Sequence, residues 1–576
     1  MLLIVSLSAA LPLSAASHVD VVKMRTENQV NPLGIGTSTP RFSWQITSDR
    51  KGVVQTSYQI LVASSREKLD RNEADLWDSG ERNSDEQLWI PYQGKALLSG
   101  AQAYWKVRIT TNRGKSEWTE PQLFTIGLLG ETKWSGTWIG LEDLQPGEQK
   151  GMHTRLAARY IRKDFAAKGK VKRAVAYVAG LGVYEFYVNG QRMGGSQALQ
   201  PAPTDYRKTI YYNTFDVTSL LTEKNAIAIK LGNGRMFPMR QEKAYKTPFF
   251  GYPKCRINVK VEYENGKTET WATNNTWKLS FDGPIRSNNE YDGEEYDARR
   301  EQALKGWTQA GFDDSQWQKA ERCAIPDGTL MAQPMTGMVE KEFGHPVSLK
   351  HRHDTLIVDF GQNMAGWIGF QVRGRQGDTI RVKYAEKLQA DGSLYLDNFR
   401  NALSEDIYVC NGKEIGKPSP PVIPYHAFRY AATTGMKNAR KEDFTAYTVS
   451  DEMATIGHIE TSDTILNKVL KNAWWGIYGN YKGMPVDCPQ RNERQPWLGD
   501  RTVGSLGESF VFDNERLYSK WMHDICDAQR SDGNIPDVAP AFWNYYTDDV
   551  TWPAALPFTC DMLYHQFGNR QPIIDS

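Results

Sequence analysis

From residue 18 to about 450, apolar and polar residues alternate with a period near two; after about 455 the period lengthens towards 3.6. The runs SYQILVASS (57–65) and AYWKVRITTN (103–112) have the spacing of half-buried strands. The turn-forming stretches DSGER (78–82) and NRGKSEW (112–118) follow them. A first β-sandwich is therefore expected over 18–130. A second is expected over 131–330, where VAYVAGLGVYEFYVNGQRMG (175–194) contains Asn189-Gly190, a type I′ hairpin signal. LIVDFGQNMAGWIGFQVRG (356–374) and DTIRVKYAEKL (378–388) mark a third over 331–452. Within 453–576, Thr461-Ser462-Asp463 offers caps for a helix over ILNKVLKNAWWGIYGNY, with Ile465, Val469, Asn472 or Ala473, and Gly476 on one face. Further helices are predicted over 514–530, with Leu517, Trp521 and Ile525 on one side, and over 553–568.

Composition changes this picture little, apart from its aromatic content. The 576 residues exceed what one core holds, so about three to five domains are expected. A net charge of +1, with no basic stripe or acidic tail, gives no reason to expect a nucleic-acid partner. The 18 tryptophans and 27 tyrosines suit a sugar-binding protein, because a flat ring covers the apolar C–H face of a pyranose; they also suit sandwich cores. Leu2–Leu13 is apolar, too short to span a bilayer, and followed by Ser14, Ala15 and Ala16, so residues 1–17 read as an export signal, although no Lys or Arg precedes the run. This places the protein in the periplasm or outside the cell. No other segment is long and apolar enough for a membrane span. The six scattered cysteines form no CxxC pair and select no disulfide pairing.

The candidate chemistry lies between the first two predicted helices. MPVDCPQRNERQPWLGD (484–500) brings Asp487, Arg491, Glu493, Arg494 and Asp500 into one short stretch beside Trp497. Glycoside hydrolysis needs one carboxylic acid to protonate the leaving oxygen and a second carboxylate to activate water or attack carbon. The acid must keep its proton near neutral pH, which burial or a neighbouring carboxylate achieves and a neighbouring arginine opposes. Residue types alone leave open which carboxylate is the acid, and they equally describe a surface loop of solvated ion pairs.

The run DCPQRNER…WLGD resembles the signature of glycoside hydrolase family 78, the bacterial α-L-rhamnosidases. NPLGIGTSTPRFSW (31–44), GLGVYEFYVNGQRMG (180–194), DFGQNMAGW (359–367) and PYHAFRYA (424–431) resemble family landmarks in the same order, so the likeness spans nearly the whole chain. It implies a multidomain fold class: a fibronectin type III-like β-sandwich, a jelly-roll-like one and a third β-sandwich, followed by the start of an (α/α)6 barrel. It further implies an inverting hydrolase of terminal α-L-rhamnose, acting without a cofactor or metal on rhamnose-containing glycans or plant glycosides. By residue, the resemblance makes Glu493 the general acid and Asp487 and Asp500 its flanking catalytic carboxylates. Arg491, Trp497, Trp543, Asp549 and Trp552 become substrate-binding residues. Asn492 stands where Asp is usual, and Gln495-Pro496 where many members carry Leu-Gly, which puts substrate preference in doubt. Twelve barrel helices need roughly 180–215 residues, and 455–576 has room for about four to six helices. The resemblance therefore implies a chain cut short, with the general base beyond Ser576 and a second polypeptide as one means of completing the barrel. The competing expectations are a non-catalytic carbohydrate-binding protein and an (α/α)6 glycosidase acting on another sugar, against which the DCPQRNER run argues.

Overall fold

The computed structural model describes residues 19–150, 153, 155–238, 250–413, 416–420, 422–436, 438–547 and 549–576. The expected export signal over 1–17 lies outside them. The described chain divides into two compact units, ending and beginning at Ile126 and Gly127.

In the first unit, strands Val19–Thr26, Arg41–Ser48 and Ile90–Pro91 form one sheet. Gln55–Ala63 and Gln102–Thr111 centre a second of five strands. Alternation aims Phe42 and Trp44 from one sheet and Trp105 and Phe124 from the other into a shared core, where the rings of Phe42 and Trp105 lie 4.5 Å apart. The short helix α1 (Arg66–Asp70) is capped by Ser65, whose hydroxyl accepts from the Lys68 N–H.

The second unit begins with a six-stranded and a seven-stranded sheet. Ile161, Ile229, Val259 and Trp277, all fully buried, belong to one core that draws on strands of both. Asn189 and Gly190 both take positive φ and join Val183–Val188 to Gln191–Arg192, as the hairpin signal required. A nine-stranded sheet follows. It is built mainly from residues 338–451, but the two strands at one end, Ile285–Asn289 at the edge and Gly293–Asp297 beside it, come from the preceding segment. The second of these pairs in parallel with Glu405–Val409, after which Gln318–Lys319 and Thr329–Ala332 return to the earlier sheets. Residue 330 is therefore not a boundary between sheets. Short alternating runs do not carry the information that would have shown this crossing.

Helices α2 (Thr464–Gly479), α3 (Leu498–Thr502), α4 (Ser505–Ser509), α5 (Glu515–Ala528), α6 (Ala555–Phe567) and α7 (Gln571–Asp575) complete the chain. The Asp463 carboxylate caps α2 by accepting from the N–H groups of Ile465 and Leu466. On α5, Leu517, Trp521 and Ile525 are buried at helical spacing against α6. The α2 stripe behaves differently: Ile465 and Val469 are 71% and 55% exposed, and Val503 and Ile574 elsewhere among the helices are 89% and 70% exposed. No helix is long and apolar enough to cross a membrane among the described residues. The expected order of β-sandwiches followed by helices is thus observed.

Candidate active site

The loop between α2 and α3 is fixed from below by arginines. Arg494 is fully buried and takes a left-handed backbone, φ 52°. Its guanidinium donates to the carbonyls of Gln490 and Arg491 in its own loop, and to those of Glu290 (2.5 Å) and Tyr425 (2.9 Å) on the β units. The Arg494 carbonyl in turn accepts from Arg235 at 2.6 Å. One cation thus satisfies four carbonyls, that of Tyr425 buried and the others part-buried. A neutral side chain at this position would leave several of them unpaired at about 1–3 kcal/mol each.

On this base Glu493 is buried, and both its oxygens accept hydrogen bonds. Oε1 takes the Trp497 indole N–H at 3.0 Å, and Oε2 takes Arg491 Nε at 2.9 Å and faces Arg400 Nη1 at 3.0 Å. Arg491 also reaches Asp487 Oδ2 at 3.3 Å, so one guanidinium bridges two carboxylates. Asp487 Oδ1 accepts the Gln495 N–H at 2.7 Å. Burial, reinforced by the charge of Glu493, pushes the Asp487 pKa above the usual aspartate value; the side chain of Cys488, the Gln495 N–H and Arg491 oppose it. Asp500 stands exposed in the first turn of α3. Partial desolvation pushes its pKa up, opposed by Arg501 and aided by Glu493. Donor atoms of Asp487, Cys488 and Glu493 lie within 4.8 Å of one another, but Arg491 already supplies the positive charge there and burial pushes the Cys488 thiol pKa up. This set does not invite a metal.

Aromatic rings lie on the Oε1 side. Trp497 stacks on Tyr545 at 5.5 Å and meets Trp543 edge-on at 6.0 Å. Trp552 covers Gly499, where any Cβ would fall 2.4 Å from the indole, so only glycine admits the ring beside Asp500. Asp549 is exposed, and its Oδ1 accepts the N–H groups of Thr551 and Trp552, which organises its turn. Burial pushes the pKa of Asp537 up, opposed by the Thr547 hydroxyl that holds it and aided by the charge of Asp549.

The structure therefore brings Asp487, Arg491, Glu493 and Trp497 into direct contact, with Trp543 one ring further and Asp500 and Trp552 at the rim. The sequence reading missed Arg400 and Asn401, which arrive from the β unit: Arg400, with φ 60°, pairs with Glu493, and Asn401 accepts from Asn492 Nδ2. No motif marks that loop. Only the positive φ of Arg400, which a sequence does not show, singles it out.

Residues 21–130 match the Rha78A-like N-terminal immunoglobulin domain, and 169–342 the alpha-L-rhamnosidase N-terminal domain. Residues 349–450 match the bacterial alpha-L-rhamnosidase concanavalin-like domain, and 454–576 the bacterial alpha-L-rhamnosidase 6 hairpin glycosidase domain. An alpha-L-rhamnosidase of Alteromonas sp. (strain LOR) is 32% identical over 566 residues, which cover 96% of this chain and 60% of that protein. The solved alpha-L-rhamnosidase of Dictyoglumus thermophilum is 34% identical with a TM-score of 0.91, covering 96% of this chain and 62% of its own. That of Streptomyces avermitilis, complexed with L-rhamnose, is 26% identical with a TM-score of 0.88, covering 97% and 70%. The chain thus spans about 60% of the length of the Alteromonas relative. Four successive domains match in order, and they include the loop that carries Glu493: the chain belongs to the bacterial α-L-rhamnosidase family.

Proposed function

We propose that the protein acts on rhamnose-containing glycans or glycosides and hydrolyses their terminal α-L-rhamnose with inversion, Glu493 being the general acid. One observation carries the reading. Glu493 is a buried carboxyl held between an aromatic cluster on Oε1 and two guanidinium groups on Oε2, in the loop that bears the family sequence. The terminal sugar rests against Trp497 and its neighbours. As substrate binds, Arg400 and Arg491 turn away from Oε2, Glu493 takes a proton from solvent and delivers it to the leaving oxygen as the glycosidic bond breaks, and the returning arginines stabilise the carboxylate left behind. Inversion requires a second carboxyl about 6.5–9.5 Å away, with a water between; no described residue is assigned that role. Export from the cytoplasm belongs to the same proposal.

A second reading makes Asp487 the acid, because its raised pKa lets it hold a proton to higher pH than an ordinary aspartate. Glu493→Gln decides between them. With Glu493 as the acid, the loss is about 10²–10⁴-fold on alkyl rhamnosides and much smaller on an activated aryl rhamnoside, which needs little protonation. Equal losses on both transfer the role to Asp487. The anomer first released, followed by NMR, tests inversion.

A further inference from the structure

Of the groups that hold the Glu493 carboxylate, Trp497 and Arg491 belong to its own loop. Arg400 does not: it arrives from the β unit, on a turn whose backbone suits a different residue. The Ala402 N–H donates to the Phe399 carbonyl at 3.1 Å, which closes a four-residue turn over 399–402. Arg400 is its first central residue, at φ 60° and ψ −117°. Those angles mirror the first central position of a type II turn and define type II′. That position selects glycine, because any Cβ there crowds the neighbouring backbone. Arginine is held in it under strain.

Such strain persists where the surroundings over-determine it. Here they do so on both sides of Arg400. Phe399 and Ala402 are buried in one cluster with Tyr291, whose ring also faces the Arg494 guanidinium at 5.6 Å. The side-chain oxygen of Asn401 accepts from Nδ2 of Asn492, the residue before Glu493. Turn and active-site loop thus rest on a common floor. They are hooked together one residue away from each member of the Arg400–Glu493 pair. The pair does not offset the strain as stability: the Arg400 side chain is 47% exposed, and ion pairs of that exposure contribute little to folding. A residue that strains the fold and returns little to it points to function. What Arg400 reaches is Oε2, the oxygen from which the proton leaves in the reading proposed above.

We propose that the turn 399–402 is a positioning element for the general acid, supplied by the β unit. It accepts strain at Arg400 so that a guanidinium returns to one fixed place on Glu493 once the proton has left. Asn401 keeps the turn in register with the loop through Asn492. The inference rests on the rhamnoside reading of Glu493 and adds a part of the chain remote in sequence to the machinery of that acid.

Arg400→Gly removes the guanidinium and puts at 400 the residue the turn favours. Asn401→Ala keeps the guanidinium and unhooks the turn. Both are assayed in the 576-residue chain on an alkyl rhamnoside and on an activated aryl rhamnoside, each protein at its own pH optimum, with a urea midpoint measured alongside. Arg400→Gly is expected to lose about tenfold on the alkyl compound and to stay within about twofold on the aryl one, which needs little protonation. Its urea midpoint is expected to be no lower than that of the unmodified chain. Asn401→Ala is expected to show the same split at about threefold. An alkyl rate within twofold of the unmodified chain in Arg400→Gly overturns the proposal. So do equal losses on both substrates or a lowered midpoint in that variant, which mark a merely structural turn. Glu493→Gln, assayed beside them, separates the two ideas. If it shows the split and Arg400→Gly does not, the turn alone falls. If it loses equally on both substrates, the acid is not Glu493; if the unmodified chain cleaves neither, the rhamnoside reading falls; in both cases the turn falls with it.

Discussion

At the scale of single residues, two buried glutamates are partnered differently. Glu493 accepts from the Trp497 indole and from Arg491 and faces Arg400, whereas Glu294, buried beneath the β units, accepts from one N–H, that of Ile423 at 3.0 Å. Desolvation pushes the Glu294 pKa up to about 8 from an ordinary 4.5. Below pH 4.5 the side chain is protonated whether the chain is folded or not, and the folded state has its full advantage. Between 4.5 and about 8 the folded protein holds a proton that the unfolded chain has released, so stability falls as pH rises, by up to about 1.4 kcal/mol per unit. Glu294→Gln should therefore resist urea better than the unmodified protein at pH 8 and no better at pH 4.5. A parallel pH dependence for both proteins would refute this. The active-site loop was legible at this scale because Asp487, Arg491, Glu493 and Trp497 are close in sequence as well as in space. Glu294 and Arg400 were not, because burial and a distant partner decide their behaviour. Asp549 also accepts the N–H two residues on, a local turn contact that its neighbours in sequence make readable.

Among elements, the long helices were readable from period and cap: Asp463 closes the start of α2, and Leu517, Trp521 and Ile525 lie on the buried side of α5. Trp521 is the anchor of that packing. It is fully buried, and its indole N–H donates to the Ala539 carbonyl at 2.7 Å. Trp521→Ala combines a large cavity with an unpaired carbonyl and should cost about 3–5 kcal/mol, read from the shift in a denaturant midpoint. A loss under 1 kcal/mol would mean that the helices do not form one cooperative core with α5. Strands two to five residues long, such as Ile139–Gly140 and Ile285–Asn289, were not assignable from their sequences. The first pairs with a remote strand, the second is held to the sheet only through Gly293–Asp297 and its remote neighbour Glu405–Val409, and a run that short shows no dependable period.

For the molecule as a whole, exposed apolar side chains are unevenly distributed. Ile465, Val469, Val503, Phe510, Phe558 and Ile574 are all more than half exposed and all lie in the helical segment. Patches of this kind associate with one another or with apolar probes. At micromolar concentration the 576-residue chain should bind an apolar fluorescent dye strongly and sediment above the 65.3 kDa expected of a single copy. Replacing Ile465 and Val469 together by glutamine should diminish both effects without altering the helical circular dichroism. A monomer that ignores the dye would show that these residues do not act as one surface. The order of sandwiches and helices was visible in the sequence because period two gives way to 3.6 only once.

The excursion of residues 285–297 into the later sheet has a consequence for how such chains can be recombined. A gene fusion joined at residue 330 respects the apparent modules yet separates Gly293–Asp297 from its parallel neighbour Glu405–Val409. The recipient half then carries a raw strand edge, open to any other chain with unpaired backbone groups. The donor half carries a two-stranded flap with nowhere to lie. A chimera joined in the stretch between Asp451 and Asp463, after the last strand of that sheet and before the cap of α2, leaves every ladder of the β units closed. Exchange between relatives should therefore yield soluble hybrids at the second junction and aggregates at the first, although the first looks like the natural place to cut.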